Sequence, residues 1–141
     1  MNPSERYDSL FQFYAQEYGL DWKKLKAQAM AESGLNKHAV SKVGAKGISQ
    51  FMPATFSSLM PSGDIIDPED SIQCQAMYMK QLLGRLRNDY QLAWSAYDWG
   101  IGNVLGVIKK IQSYSYSDLV LHLPEETKNY VARIEKFLEA L

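Results

Sequence analysis

With a single cysteine, Cys74, the chain can form no internal disulfide, so its fold does not depend on an oxidising compartment. Cys74 itself reads as a small buried hydrophobe. Histidine is almost as scarce. His38 and His122 lie far apart and read as loop or surface residues, so no Cys/His cluster at metal-ligand spacing exists and no metal is expected. Excess charge of one sign is lacking too: 15 Lys and Arg against 16 Asp and Glu leave a net charge of −1. A nucleic-acid partner normally demands a clear basic excess or stripe, so none is expected. Lys23, Lys24 and Lys26 lie opposite the apolar stripe of their helix and read as a solvated face. Residues Met1 to Arg6 lack the basic and then apolar run of a secretory signal. Alternating strand patterns, internal repeats and low-complexity tracts are also missing.

What is present is the composition of a soluble globular protein, 46% hydrophobic and 22% charged over 141 residues. That length suits one domain, residues 1–141, able to bury a core without staples and without membrane insertion. Helical periodicity dominates. Tyr7, Leu10, Phe11, Tyr14 and Tyr18 form a first amphipathic helix that Gly19 ends, and Asp21 caps a second. Residues 33–47 are rich in Gly, Ser and Asn and read as a loop, followed by a short helical region over 48–60 that breaks or restarts at Pro53. Asp67-Pro68 opens the longest helix, with Ile72, Ala76, Met79, Leu83 and Leu86 on its stripe. Further helices are predicted over about Gln91 to Tyr97, through Val104 to Ile111, and from about Pro124 to the end, with one turn over Leu119 to Leu123. The expected fold is all-α, a compact domain of about seven to nine helices.

Glu32 is the anomaly in this pattern. It extends the apolar stripe Trp22, Leu25 and Ala29 just before Ser33 and Gly34 stop the helix. At roughly 100° per residue, the four side chains fall within an arc of about 80°, which aims a carboxylate at the core edge. Burial and the negative end of the helix dipole both raise its pKa, as a general acid requires. A capped or ion-paired helix-end glutamate fits the position alone equally well.

Four segments in order carry a family resemblance. They are Glu32-Ser33-Gly34; Ser41 to Gly47, running on through Ile48, Ser49, Gln50, Phe51, Met52 and Pro53 to Thr55; Ala96-Tyr97-Asp98-Trp99-Gly100; and Leu123-Pro124-Glu125-Glu126-Thr127 with Tyr130-Val131. In this combination the chain resembles the lytic transglycosylases of the soluble type, which share a goose-type-lysozyme-like fold. The resemblance covers residues from Leu20 to about Ile134. It implies an all-α lysozyme-like domain with a substrate groove, an activity that cleaves the MurNAc-β-1,4-GlcNAc bond of peptidoglycan, and Glu32 as general acid and then general base. It implies no metal or cofactor, because the N-acetyl group of the sugar attacks its own anomeric carbon and the 6-hydroxyl closes a 1,6-anhydro ring. The partner implied is a peptidoglycan glycan strand met by a monomer.

By the same resemblance, Ser41, Gln50, Met52, Tyr97, Glu126 and Tyr130 contact substrate. The residue types leave other roles open. Ser33 can bond local backbone. Ser41 can be a plain loop serine, and Gln50 can hold the loop rather than a sugar amide. Gly44 and Gly47 serve the turning and close approach of that loop. Met52 can be core. Tyr97 can be a buried tyrosine with a satisfied hydroxyl, Glu126 a helix-start carboxylate and Tyr130 a core tyrosine. Trp99 is a weaker stacking candidate. Two departures from the family pattern stand out. Ser49 replaces a larger Met or Phe and is expected to alter one groove wall. Asp98 replaces Asn; capping of the next helix is the preferred reading, and a charge facing Glu32 is the other. A hydrolytic muramidase and a non-catalytic wall-binding module remain the rival functions. With no leader in view, the wall is expected to be reached as a virion-associated bacteriophage protein or as a domain of a larger exported protein.

Overall fold

A computed structural model describes residues 2–141 of the chain. Among these, the chain forms eight α-helices: α1 Asp8–Tyr18, α2 Trp22–Ser33, α3 Pro53–Leu59, α4 Pro68–Arg85, α5 Tyr90–Trp99, α6 Ile101–Ile111, α7 Tyr116–Leu119 and α8 Glu125–Glu139. Short 3-10 turns at Pro3–Glu5 and Val120–His122 complete the regular structure. Extended pairing among the described residues is limited to isolated bridges of Lys46 with Val40 and Phe51. The all-α expectation holds.

Local chemistry sets most boundaries. Asp21 accepts from the amides of Lys23 and Lys24 and so starts α2, while Gly34 ends it at a φ of 63°. Pro53 occupies the first turn of α3. The helical region therefore begins at the proline rather than before it. Asp67 caps α4 through the amide of Asp70. Asp89 caps α5 through the amide of Leu92, which puts its start a residue earlier than the apolar pattern suggested.

Helix α2 sits at the centre, packing most extensively on α8 and also on α1. Its buried set is Leu25, Lys26, Ala27, Gln28 and Ala29, so contact with the core extends well beyond one stripe. Ala27 and Ala29 leave room for neighbouring helices. Lys26 corrects the solvated-face reading, because it is only 3% exposed and its Nζ lies 2.6 Å from Oδ1 of Asp8 on α1. An ammonium so buried needs such a partner to offset its lost hydration.

The main core draws on α1, α2, α4, α5, α6 and α8. A smaller cluster of Phe51, Phe56 and Cys74 lies beneath the loop that precedes α3. Cys74 is fully buried as expected, and burial pushes its thiol up to about 12, which suppresses thiolate chemistry at ordinary pH. No helix among the described residues is long and apolar enough to cross a membrane.

Candidate active site

The C-terminal end of α2, the loop over residues 34–52, the C-terminal end of α5 and the first turns of α8 surround an open cleft of about 430 Å³. Glu32, Ser41, Gln50, Met52, Tyr97, Glu126 and Tyr130 all line it, so the fold brings together every predicted site residue. The lining also includes Val43, Tyr78, Asp98 and Arg133.

Glu32 is held from one side by Tyr130, whose hydroxyl donates to Oε2 at 2.7 Å. Its pKa is pushed up from 4.5 to about 8, chiefly because burial removes water from the carboxylate. The Tyr130 hydrogen bond opposes that rise, the charge on Asp98 adds to it, and Arg133 opposes it. Burial wins, so Glu32 is largely protonated at neutral pH.

The loop is built by side chains that bond backbone. Ser33 donates its hydroxyl to the carbonyl of Ile48 at 2.6 Å, fastening the end of α2 to the loop as well as to its own preceding turn at Ala29. Ser41 accepts from the amide of Ala45 through Oγ, closing a tight turn. Gln50 has a φ of 53°, which costs a residue with a Cβ, and its Nε2 donates to the carbonyls of Ala39 and Gly47. The loop-holding role of Gln50 is therefore real, and the residue also faces the cleft. Gly47 is required by space: at a φ of 85°, a Cβ there would collide with the carbonyl oxygen of Ile65.

Tyr97 donates its hydroxyl to the carbonyl of Ser49 at 2.9 Å, so its proton is committed to backbone. Its ring packs against Phe51 at 5.5 Å and Tyr78 at 5.4 Å, making one aromatic wall. Met52, at the mouth, is substantially exposed. Trp99 packs against the main core and does not line the cleft.

Both departures from the family pattern end up elsewhere than expected. Ser49 is completely buried and forms no groove wall; its hydroxyl donates to Oε1 of Gln75 at 2.8 Å and approaches the carbonyl of Ser71 at 3.2 Å. Asp98 does not cap α6, whose preceding residue, Gly100, offers no side chain. Instead Asp98 lines the cleft, where its Oδ2 accepts from Thr127 Oγ1 at 2.9 Å. Partial burial raises its pKa, the Thr127 bond lowers it, Glu126 raises it and Arg133 lowers it.

Sequence reasoning missed Arg133 and Tyr78. Arg133 was readable in principle, one turn after Tyr130 on the same helix. Tyr78 gave no comparable signal, since it lies beside the apolar stripe of α4 and reaches the cleft through the satellite cluster. Among the described residues, no group of three or more His, Cys, Asp and Glu side chains converges as a metal ligand set.

The chain and its fold match known proteins. Residues 9–120 match the family model described as the transglycosylase SLT domain. The chain is 35% identical over 137 residues to membrane-bound lytic murein transglycosylase F of Shewanella denitrificans, covering 88% of this chain and 27% of that protein. It is 32% identical over 138 residues to peptidoglycan transglycosylase gp16 of Escherichia phage T7, covering 94% of this chain and 10% of that one. The solved 70 kDa soluble lytic transglycosylase of Escherichia coli superimposes with a TM-score of 0.86 at 25% identity, over 95% of this chain and 24% of that one. The chain thus spans between a tenth and about a quarter of these relatives' lengths.

Proposed function

Because the chain belongs to the transglycosylase SLT domain family, we propose that residues 1–141 act as one catalytic unit, a peptidoglycan lytic transglycosylase. The observation that carries the reading is Glu32, a carboxyl group lining an open cleft and kept protonated by burial with a pKa near 8. Glu32 delivers its proton to the glycosidic oxygen between MurNAc and GlcNAc as the bond to the anomeric carbon breaks. The N-acetyl carbonyl of the MurNAc ring attacks that carbon from the other side and takes up the developing charge. The sugar's 6-hydroxyl then displaces it, forming the 1,6-anhydro ring and returning a proton to the ionised Glu32. One carboxyl group serves both steps.

The cleft supports a polymeric substrate because it is open and mixes polar and aromatic surface. Gln50, Ser41 and Glu126 offer hydrogen-bonding groups to sugar hydroxyls and amides, while Tyr97 and Met52 offer apolar faces. Asp98 favours a second reading. As another carboxyl group in the cleft it could position water, and the chain would then be a hydrolytic muramidase. Against this, Thr127 engages one of its oxygens and partial burial resists its ionisation.

Incubation with purified sacculi and mass analysis of the muropeptides separates the two. Anhydro products are expected; reducing-end products alone would refute the transglycosylase assignment. Undiminished lysis by Glu32→Gln would overturn both. The cell wall is the site of action in either case. The likeness to a phage T7 protein supports a virion-associated role, and the likeness to membrane-bound enzymes supports a domain of a larger exported protein.

A further inference from the structure

Behind Glu32 a line of buried polar side chains crosses the core between α2, α4 and α8. Tyr130 donates to Glu32 Oε2, and Gln28 Nε2 donates to the Tyr130 hydroxyl at 3.1 Å. Gln75 Nε2 donates to Gln28 Oε1 at 3.1 Å and to the backbone carbonyl of Leu25 at 3.0 Å, while its Oε1 accepts from Ser49. Gln28 and Gln75 are both fully buried. Side chains so enclosed must satisfy their amides internally, which makes the sense of each bond a matter of logic.

A backbone carbonyl can only accept. Leu25 therefore fixes the Nε2 end of Gln75, and Gln75 obliges Gln28 to present its Oε1. Gln28 must then turn its Nε2 towards Tyr130, whose oxygen receives that bond and whose single proton is left for Glu32. We propose that Gln28 and Gln75 are positioning residues that lock the Tyr130 hydroxyl as a donor to Oε2 of Glu32, so that the transferable proton is carried on Oε1. This inference rests on Glu32 being the acid of the reaction.

The lock has two consequences. A Tyr130 hydroxyl free to turn could instead offer its lone pairs to a protonated Glu32, drawing the acid proton towards the core and away from the cleft. Donation also favours the ionised form, which offsets part of the rise caused by burial and keeps the later base step accessible. The other titratable and charged groups around the cleft are Asp98 and Tyr97 from α5, Glu126 and Arg133 from α8, and Tyr78 from α4. None of them bonds to either glutamine.

The test is a titration of the Glu32 carboxyl carbon by NMR in the full chain, with Gln28→Met, Gln75→Met, Tyr130→Phe and Gln28→Met/Tyr130→Phe. Tyr130→Phe should raise the midpoint by about 1 pH unit, the value of one hydrogen bond to a charged group. Gln28→Met and Gln75→Met should raise it by roughly half as much, since they release the donor without deleting it. In the double variant the Gln28 change should add nothing, although it lowers thermal stability in both backgrounds. The upper limb of the pH profile for sacculus lysis should move in the same order. A midpoint unmoved in whichever glutamine variant folds, or a shift that persists without the Tyr130 hydroxyl, would overturn the proposal. Because the NMR midpoint does not require activity, that result is separate from failure of the proposed reaction, which full lysis by Glu32→Gln would reveal.

Discussion

Replacing Glu32 by Gln removes the titratable group while keeping an oxygen that can accept from Tyr130, so the change isolates charge from packing. A rise in pKa from 4.5 to about 8 means that the folded protein binds this proton far more tightly than the unfolded chain does. The stabilisation is fully present below pH 4.5, diminishes as the unfolded carboxyl ionises, and is exhausted once pH passes about 8. At about 1.4 kcal/mol per pH unit, and allowing for solvent in the cleft, the wild type should lose roughly 3–4 kcal/mol relative to the variant across that window. Urea unfolding of both proteins at intervals from pH 4 to 9 measures the difference, and the other titrating groups largely cancel in it. Above neutrality the variant should be the more stable protein. Its lysis of sacculi should fall by a factor of at least about 100, the lower range for general acid catalysis. Parallel stability curves across the whole window would refute the claim that Glu32 is buried in its protonated form.

Asp98→Asn keeps an acceptor for Thr127 but removes a charge that raises the Glu32 pKa. The upper limb of the lysis profile should move to lower pH by less than about 1 pH unit, measured as initial rates at constant ionic strength. Gly47→Ala puts a Cβ against the Ile65 carbonyl in a left-handed conformation, and should cost about 3 kcal/mol in urea unfolding with loss of activity as the loop shifts. Lys26→Met strands Asp8 without its partner and should destabilise by roughly 3 kcal/mol. Adding Asp8→Leu should recover much of that loss in a double-mutant cycle.

Much of the helical frame was legible because its signals are local. Asp21 and Asp67 bond amides two or three residues away, and Gly19 and Gly34 supply the left-handed turns that end α1 and α2. The cleft lining was also legible, since the motif residues fall at helix ends and on one loop that those helices carry. Position along a helix says less about the partners of a side chain. Lys26 looked solvated from its neighbours in sequence, but α1 crosses above it and brings Asp8. Asp98 stood where a helix cap is common, and the first turn of α8 drew it aside with Thr127.

By itself, the sequence determined an all-α chain with a carboxylate at the buried edge of α2, because hydrophobic period and capping chemistry act over a few residues. Only the tertiary structure decided how that carboxylate is held. Tyr130 lies 98 residues from Glu32, and Gln28 lies 102 residues from Tyr130. Periodicity tells which side chains turn inward, whereas the direction of each buried hydrogen bond depends on which helices meet.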